Sequence, residues 1–294
     1  MHMLYTPQLD KHVDLLRQRG WEDLLRRRLV FTITTGRSGT QTLAEVFACA
    51  KHTYSLHEPT PNYMQCLRRV QRNAEAAFEF LVEEKLPAIL ATGSDCYVET
   101  SHLVCKGFIE PMLELGLRPH FLIVKRDSRA VAKSFTQIAS IPERTALGRD
   151  YMLSPADPCL LTTPCWEDFT DYQLCYWYTL EIQRRTQWYV SLFDRLGIGY
   201  SCFDFADLKN PQAVLYTMAS CGLAPATDAA ERIAQILEHP LNTKAKDKLD
   251  VGRQAEVACT DVLQEAERHV KRACRRSPTD DYLPRLSVAR SRAA

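Results

Sequence analysis

No C-x-x-C pair occurs among the eleven cysteines of this chain. Cys49, Cys66, Cys96, Cys105, Cys159, Cys165, Cys175, Cys202, Cys221, Cys259 and Cys274 are scattered through 294 residues. That spacing excludes a local zinc knuckle or a thioredoxin-type redox pair. An odd number in so long a chain argues for reduced, mostly buried thiols over a disulfide scaffold. Glycine is sparse, 11 against 15 prolines, which excludes collagen-like and low-complexity classes. No apolar run approaches the roughly 18 residues that a membrane span requires. The amino-terminal stretch has no apolar core and carries Asp10, Asp14, Glu22 and Asp23, which disfavours a secretory or transit peptide. Neither sign of charge dominates: 37 Lys+Arg against 36 Asp+Glu argue against a nucleic-acid coat while permitting a local basic pocket. The expectation is a soluble, cytoplasmic monomer or homodimer with no membrane span and no nucleic-acid partner.

What is present has the composition of a globular protein with a sizeable core, 46% hydrophobic and 25% charged. Residues 8–27 read as an Arg-rich helix with an apolar face from Val13, Leu15, Leu16, Leu24 and Leu25. Leu29-Val30-Phe31-Thr32-Ile33-Thr34 reads as a buried strand that stops at Gly36, and Leu43, Val46 and Phe47 beyond it have helical spacing. Further strands are expected at 53–56, 97–99, 121–124 and 199–203, with helices over 65–84, 112–117, 129–139, 171–195, 211–221, 228–238 and 254–275. Such alternation predicts an α/β fold with three layers, a mostly parallel central sheet flanked by helices. Pro142, Pro155, Pro158 and Pro164 mark 140–170 as a long, partly ordered excursion that shapes a pocket. No repeat or linker is visible, so a single domain is expected over 1–294: N-terminal helix 8–27, core 29–222, C-terminal helices 228–275, and a frayed tail 276–294 that holds Arg285, Arg290 and Arg292.

The most informative segment is Thr34-Thr35-Gly36-Arg37-Ser38-Gly39-Thr40-Gln41-Thr42, between the first buried strand and the next helix. The first amides of a helix have no intrahelical acceptor and point into the preceding loop. Gly36 and Gly39 let the backbone curl around an anion. Ser38, Thr40 and Thr42 add hydroxyl donors, and Arg37 adds a charge suited to phosphate. The segment is not the G-x-x-x-x-G-K-S/T nucleotide loop, because two residues separate its glycines and Thr40 stands where the lysine would follow; nor is it G-x-G-x-x-G. Another arginine follows the strand at 121–124; taken alone, an arginine there is usually a surface residue. Arg126 at the strand end and Ser134, two helical turns further on, are spaced to converge on one phosphate.

These motifs resemble the PAPS-dependent sulfotransferases of the P-loop sulfotransferase superfamily. Gly36-Arg37-Ser38-Gly39-Thr40 is similar to their 5′-phosphosulfate loop, with Gln41 in place of a second hydroxyl residue and Thr42 where cytosolic members carry Trp. Arg126 and Ser134 keep the spacing of the second loop, with Ser128 in place of its proline and free to cap the following helix; the resemblance assigns the pair to the 3′-phosphate. Phe205-Ala206-Asp207-Leu208-Lys209-Asn210-Pro211 is similar to a third motif and makes Phe205 a candidate to stack on adenine. The resemblance covers 29–222 in patches. It implies transfer of a sulfuryl group from PAPS to a hydroxyl or amine of a small metabolite, leaving adenosine 3′,5′-bisphosphate, with a carbohydrate or glycolipid acceptor as the alternative. The transferred group carries a single negative charge, so no metal is required. A nucleotide kinase, or a non-catalytic nucleotide-binding protein on the same fold, is the rival reading.

Two residues compete for the role of base. His102, in Glu99-Thr100-Ser101-His102-Leu103, resembles the K-T-H-L segment of cytosolic members, with Thr100 standing where the lysine would be; an imidazole titrates near neutrality. Glu58, in His57-Glu58-Pro59, lies in the region where carbohydrate and tyrosyl-protein members place a glutamate base. Both fall at C-terminal strand ends, where open α/β sheets bind ligands. With that lysine missing, Arg37 is left as the principal cation near the leaving group. His52, His57 and Glu58 do not have the spacing of a helix-face zinc site. The resemblance makes the basic stretch Lys244, Lys246, Lys248 and Arg253 a candidate to close over the 3′-phosphate. The aromatic residues from Tyr172 to Tyr189 have helical spacing and are expected to pack in the core.

Overall fold

The three inner strands of the sheet are largely buried because both of their faces are covered. The computed structural model describes residues 6–158, 161–238 and 260–274. Strands β1 (Arg28–Ile33), β2 (Thr53–Leu56), β3 (Cys96–Glu99), β4 (His120–Lys125) and β5 (Tyr200–Asp204) form one sheet in the order β2-β3-β1-β4-β5. Every pairing is parallel, so the sheet is wholly rather than mostly so. Inner strands read as near-continuous hydrophobic runs, whereas β2 and β5, paired on one side only, carry exposed residues.

Alternate strand residues feed two cores. Val30, Val98, Leu122, Val124 and Phe203 pack with α3 (Thr40–Phe47), α11 (Pro211–Ser220) and α12 (Ala229–Glu238). Phe31, Ile33, Tyr97, Phe121 and Ile123 face a larger core on the other side. Helices α4 (Met64–Val70), α8 (Ser128–Gln137), α10 (Asp171–Leu196) and α13 (Thr260–Ala273) contribute to that one. The aromatic run of α10 packs there as expected: Tyr172, Tyr176, Trp177, Tyr178 and Tyr189 are buried. This is the three-layer α/β arrangement. Nine described cysteines are free, and five of them, Cys49, Cys66, Cys105, Cys175 and Cys221, are buried.

Several boundaries differ from the sequence expectation, each for a local reason. The helix expected over 8–27 is two short ones, α1 (Val13–Gln18) and α2 (Asp23–Arg26), separated by Gly20 at φ +69°. The helix expected over 65–84 stops after α4. Asn73 then accepts a hydrogen bond from the amide of Glu75 at 3.0 Å and starts α5 (Glu75–Phe80), which runs through a π-turn at Leu81–Lys85 into α6 (Leu86–Ala91). The helix expected over 112–117 is α7 (Ile109–Glu114). The 140–170 excursion contains α9 (Ala146–Tyr151), and Arg144 ties its start to Asp171 at 2.8 Å. Asp127, not Ser128, caps α8, accepting from the amide of Ala130 at 2.8 Å. Thr170 and Gln173 form a capping box at the start of α10. The basic stretch Lys244, Lys246, Lys248 and Arg253 and the tail 276–294 lie outside the described residues.

The π-turn ends on Lys85, which is fully buried. Its Nζ donates to Glu99 Oε1 and to the Pro61 carbonyl, each at 2.9 Å, while the Tyr97 hydroxyl donates to Glu99 Oε2 at 2.8 Å. A buried pair broken on one side leaves an uncompensated charge. Lys85→Met is therefore expected to cost about 3–5 kcal/mol in urea unfolding, and adding Glu99→Gln to recover much of it. A loss under about 1 kcal/mol, the scale of a surface pair, would contradict this.

Candidate functional site

In the sheet order, β1 has β3 on one side and β4 on the other. The connections to these neighbours diverge, which opens a crevice at the carboxyl ends of the strands. The segments that leave all five strands contribute to one cavity of about 990 Å³: Arg37 after β1, Glu58 after β2, His102 after β3, Arg126 after β4 and Phe205 after β5.

The loop after β1 takes the curled shape its glycines allow. Gly36, Arg37 and Gly39 have φ of +85°, +54° and +75°. A Cβ on Gly36 would lie 3.0 Å from His102 Cγ, so the absence of a side chain lets the imidazole rest on the loop. Gly39 caps α3 without a side-chain hydrogen bond, which leaves the first helical amides directed into the loop. Gly36, Arg37, Gly39, Thr40, Gln41 and Thr42 all line the cavity. Ser38 does not. It is buried beneath the loop, its hydroxyl 2.5 Å from that of Thr34. The Tyr178 hydroxyl of α10 donates to the Thr35 carbonyl at 2.9 Å and braces the loop from behind.

The two expected anion contacts meet. Arg37 Nε donates to Ser134 Oγ at 3.0 Å, Arg126 Nη1 donates to the Arg37 carbonyl, and the Arg126 guanidinium lies 4.2 Å above the ring of Phe205. Burial lowers the pKa of Arg37; burial and then the charge of Arg37 lower that of Arg126, against a smaller upward pull from Asp127. Among the described residues neither guanidinium has a carboxylate within ion-pair distance. Two like charges held together, partly out of water, are costly until an anion joins them.

The rivals for the base are partners. Glu58 and His102 are joined by a 2.6 Å hydrogen bond between Oε1 and Nδ1. Burial pushes the Glu58 carboxyl up, but the charge and hydrogen bond of His102, with His57 and Lys106 behind them, outweigh it and hold the carboxyl below the usual carboxylate range. Burial pushes the His102 imidazole down, helped by the positive charges of Lys106 and His57 and opposed by Glu58. An ionised carboxylate only accepts, so Nδ1 carries the hydrogen and Nε2 presents a lone pair. Among the described residues that Nε2 is buried and has no hydrogen-bond partner. Thr100 is used structurally: its hydroxyl donates to the Thr40 carbonyl at 2.7 Å and ties the end of β3 to the first turn of α3.

Several residues at the site escaped the sequence reading, Phe135, Ile138 and Ile236 among them, and three bear on its chemistry. Tyr151 of α9 lines the cavity, and its ring lies nearly parallel to that of His102, at 16° with centroids 6.2 Å apart. Leu147, one turn earlier on α9, lines the same wall. Lys106 sits behind that wall, fully buried, and donates to the Tyr151 carbonyl. A lone lysine in the apolar run Leu103-Val104-Cys105-Lys106-Gly107-Phe108 was the available signal; nothing in the spacing connected it to residue 151. Among the described residues no group of three metal-ligating side chains is assembled, and no helix is long and apolar enough to cross a membrane. No protein-family model matches the chain, and a search of curated proteins finds no match for it.

The Glu58 carboxylate favours the protonated imidazole, so its removal takes away the only upward pull on His102 among these groups. Glu58→Gln is expected to shift the His102 imidazole titration, followed by NMR, still further below its ordinary value near 6.5. An upward shift would contradict the pairing.

Proposed function

We propose that this chain is a PAPS-dependent sulfotransferase of the P-loop class that acts on a hydroxyl or amine of a small acceptor. One observation carries the reading: two arginines from separate strand ends, Arg37 and Arg126, stand together beside a glycine-curled helix entry and, among the described residues, form no ion pair with a carboxylate. Such a constellation suits a ligand with two phosphate groups rather than one. The open amides of the loop and Arg37 suit its 5′ end, Arg126 and Ser134 its 3′-phosphate, and Phe205 its base. The cavity, at the upper end of the roughly 300–1,000 Å³ usual for single small-ligand pockets, has room for an acceptor beside the nucleotide.

When bound, the donor supplies the sulfuryl group: the acceptor oxygen or nitrogen bonds to sulfur as the bond from sulfur to the 5′-phosphate oxygen breaks. His102 Nε2 is suited to take the acceptor's proton, because Glu58 fixes the tautomer that leaves its lone pair uncommitted. Arg37 and the loop amides are suited to stabilise the charge that collects on the departing phosphate oxygen. Glu58 and His102 thus act as one unit, the carboxylate orienting the ring that accepts the proton. This replaces the choice between them.

Calorimetry with adenosine 3′,5′-bisphosphate against AMP tests the donor site. The bisphosphate is expected to bind tighter by about 2–3 kcal/mol, the scale of a charge-assisted contact. Arg126→Ala is expected to abolish that difference while leaving AMP binding nearly intact, whereas equal weakening of both ligands would refute the assignment of Arg126. In a turnover assay, His102→Ala is expected to lower kcat by roughly 10²–10⁴-fold with little change in bisphosphate affinity; an unchanged rate would remove His102 from the mechanism.

A further inference from the structure

Lys106 is fully buried and makes no ion pair among the described residues. Its ammonium donates to a neutral group, the Tyr151 carbonyl, and lies 5.0 Å from the centroid of the Tyr178 ring. An apolar side chain would fill the same space without the cost of burying a cation. A lysine here is costly as packing alone, and its neighbours point to another role. Tyr151 stacks against His102 and lines the cavity, and Tyr178 braces the anion loop through the Thr35 carbonyl. Lys106 thus stands behind the cavity at the junction of the α9 wall, the Glu58–His102 pair and the loop. It does not line the cavity itself.

We propose that Lys106 is the positioning residue of this site: it ties the α9 wall, through the Tyr151 carbonyl, to the segment after β3 that carries His102, and biases the Glu58–His102 pair to its proton-accepting form. The inference rests on the sulfotransferase reading only for the use made of His102; the coupling itself is a property of the fold. The groups that face Lys106 are Glu58 from the end of β2, Arg68 from α4, Cys105 beside it, and Arg185 and Tyr178 from α10. Burial, with Arg68 and Arg185, brings its pKa down to about 7, against upward pulls from Cys105 and Glu58. The groups that face His102 are Glu58, His57, Lys106 and Tyr151. A charged Lys106 disfavours a second positive charge on the imidazole, so His102 stays neutral to lower pH and keeps its lone pair. Loss of the lysine charge works the other way: the imidazole binds its proton more tightly, and activity that needs the neutral ring fails at higher pH.

Two variants separate the charge from the tether. Lys106→Met removes both; Lys106→Gln removes the charge and keeps a donor for the Tyr151 carbonyl. In both, the His102 titration followed by NMR is expected to move up by about one pH unit, and the acid limb of kcat with it. Lys106→Met is also expected to raise the acceptor KM more than Lys106→Gln does, because only the former frees the α9 wall. A His102 titration unmoved in both variants would overturn the proposal, whatever happens to stability. Should neither variant fold, the unmodified protein carries the test: its His102 resonances are expected to show a second inflection near pH 7, where Lys106 loses its proton, and a single-step curve would overturn the proposal. Failure of the unmodified protein to bind adenosine 3′,5′-bisphosphate would sink the sulfotransferase reading instead, and leaves the imidazole titration as the measure of Lys106.

Discussion

Arg37 and Arg126 are like charges held close, the guanidinium of one on the main-chain carbonyl of the other, and the architecture around them keeps them there. They come from loops after neighbouring strands, β1 and β4, whose parallel pairing brings both carboxyl ends to the same edge of the sheet. An antiparallel arrangement would send those two loops to opposite edges. Burial and mutual repulsion oppose the pair, while the Ser134 hydroxyl, the Arg37 carbonyl and the face of Phe205 hold each guanidinium in place. Repulsion of this kind is relieved by an anion, which is why the proposed donor site is placed at this pair.

The second half of the site is built on the same edge by a different means. Glu58 and His102 follow β2 and β3, adjacent and parallel, so a carboxylate and an imidazole 44 residues apart reach one another at 2.6 Å. Their chemistry is set by burial more than by identity. An exposed imidazole would share its nitrogens with water; here one is committed to Glu58 and the other is buried and, among the described residues, has no hydrogen-bond partner. Gly36 takes part by what it lacks, since any Cβ there would press on the imidazole. Thr100, in the position where the resemblance led one to look for a cation, bonds the end of β3 to α3 instead. Lys106 stands behind the wall, bonded to the Tyr151 carbonyl.

The edge strands and the excursion show how the two halves are enclosed. Helix α9 grows out of a proline-marked stretch that has little regular structure of its own, yet its ends are anchored. Arg144 bonds Asp171 at the start, and the Tyr151 carbonyl receives Lys106 at the end. Leu147 and Tyr151 are thereby presented to the cavity from a short helix that would be unstable in isolation. The anchors are polar and distant in sequence, and the surface they present is largely apolar.

Much of this was legible in the residues alone, because the signals are local. The apolar runs at 29–34, 97–99 and 121–124 announce strands covered on both faces, and the glycines at 36 and 39 between a strand and a helix announce a curled loop at a helix entry. Spacing alone paired Arg126 with Ser134; in the fold each meets Arg37 instead, Ser134 through its hydroxyl and Arg126 at the main-chain carbonyl. Helix ends were less legible: Asn73 and Asp127 act through side-chain hydrogen bonds that compete with neighbours of equal propensity. What no local pattern encoded is which residues meet. That Glu58 and His102 form one pair rather than two alternatives follows from strand order. That Ser38 turns under its loop follows from Thr34, and that Lys106 backs Tyr151 follows from the packing of α9. Sequence determines periodicity, loop chemistry and the inventory of charges, because these depend on neighbours along the chain. Burial, partner and protonation state depend on neighbours in space, and only the folded sheet decides them.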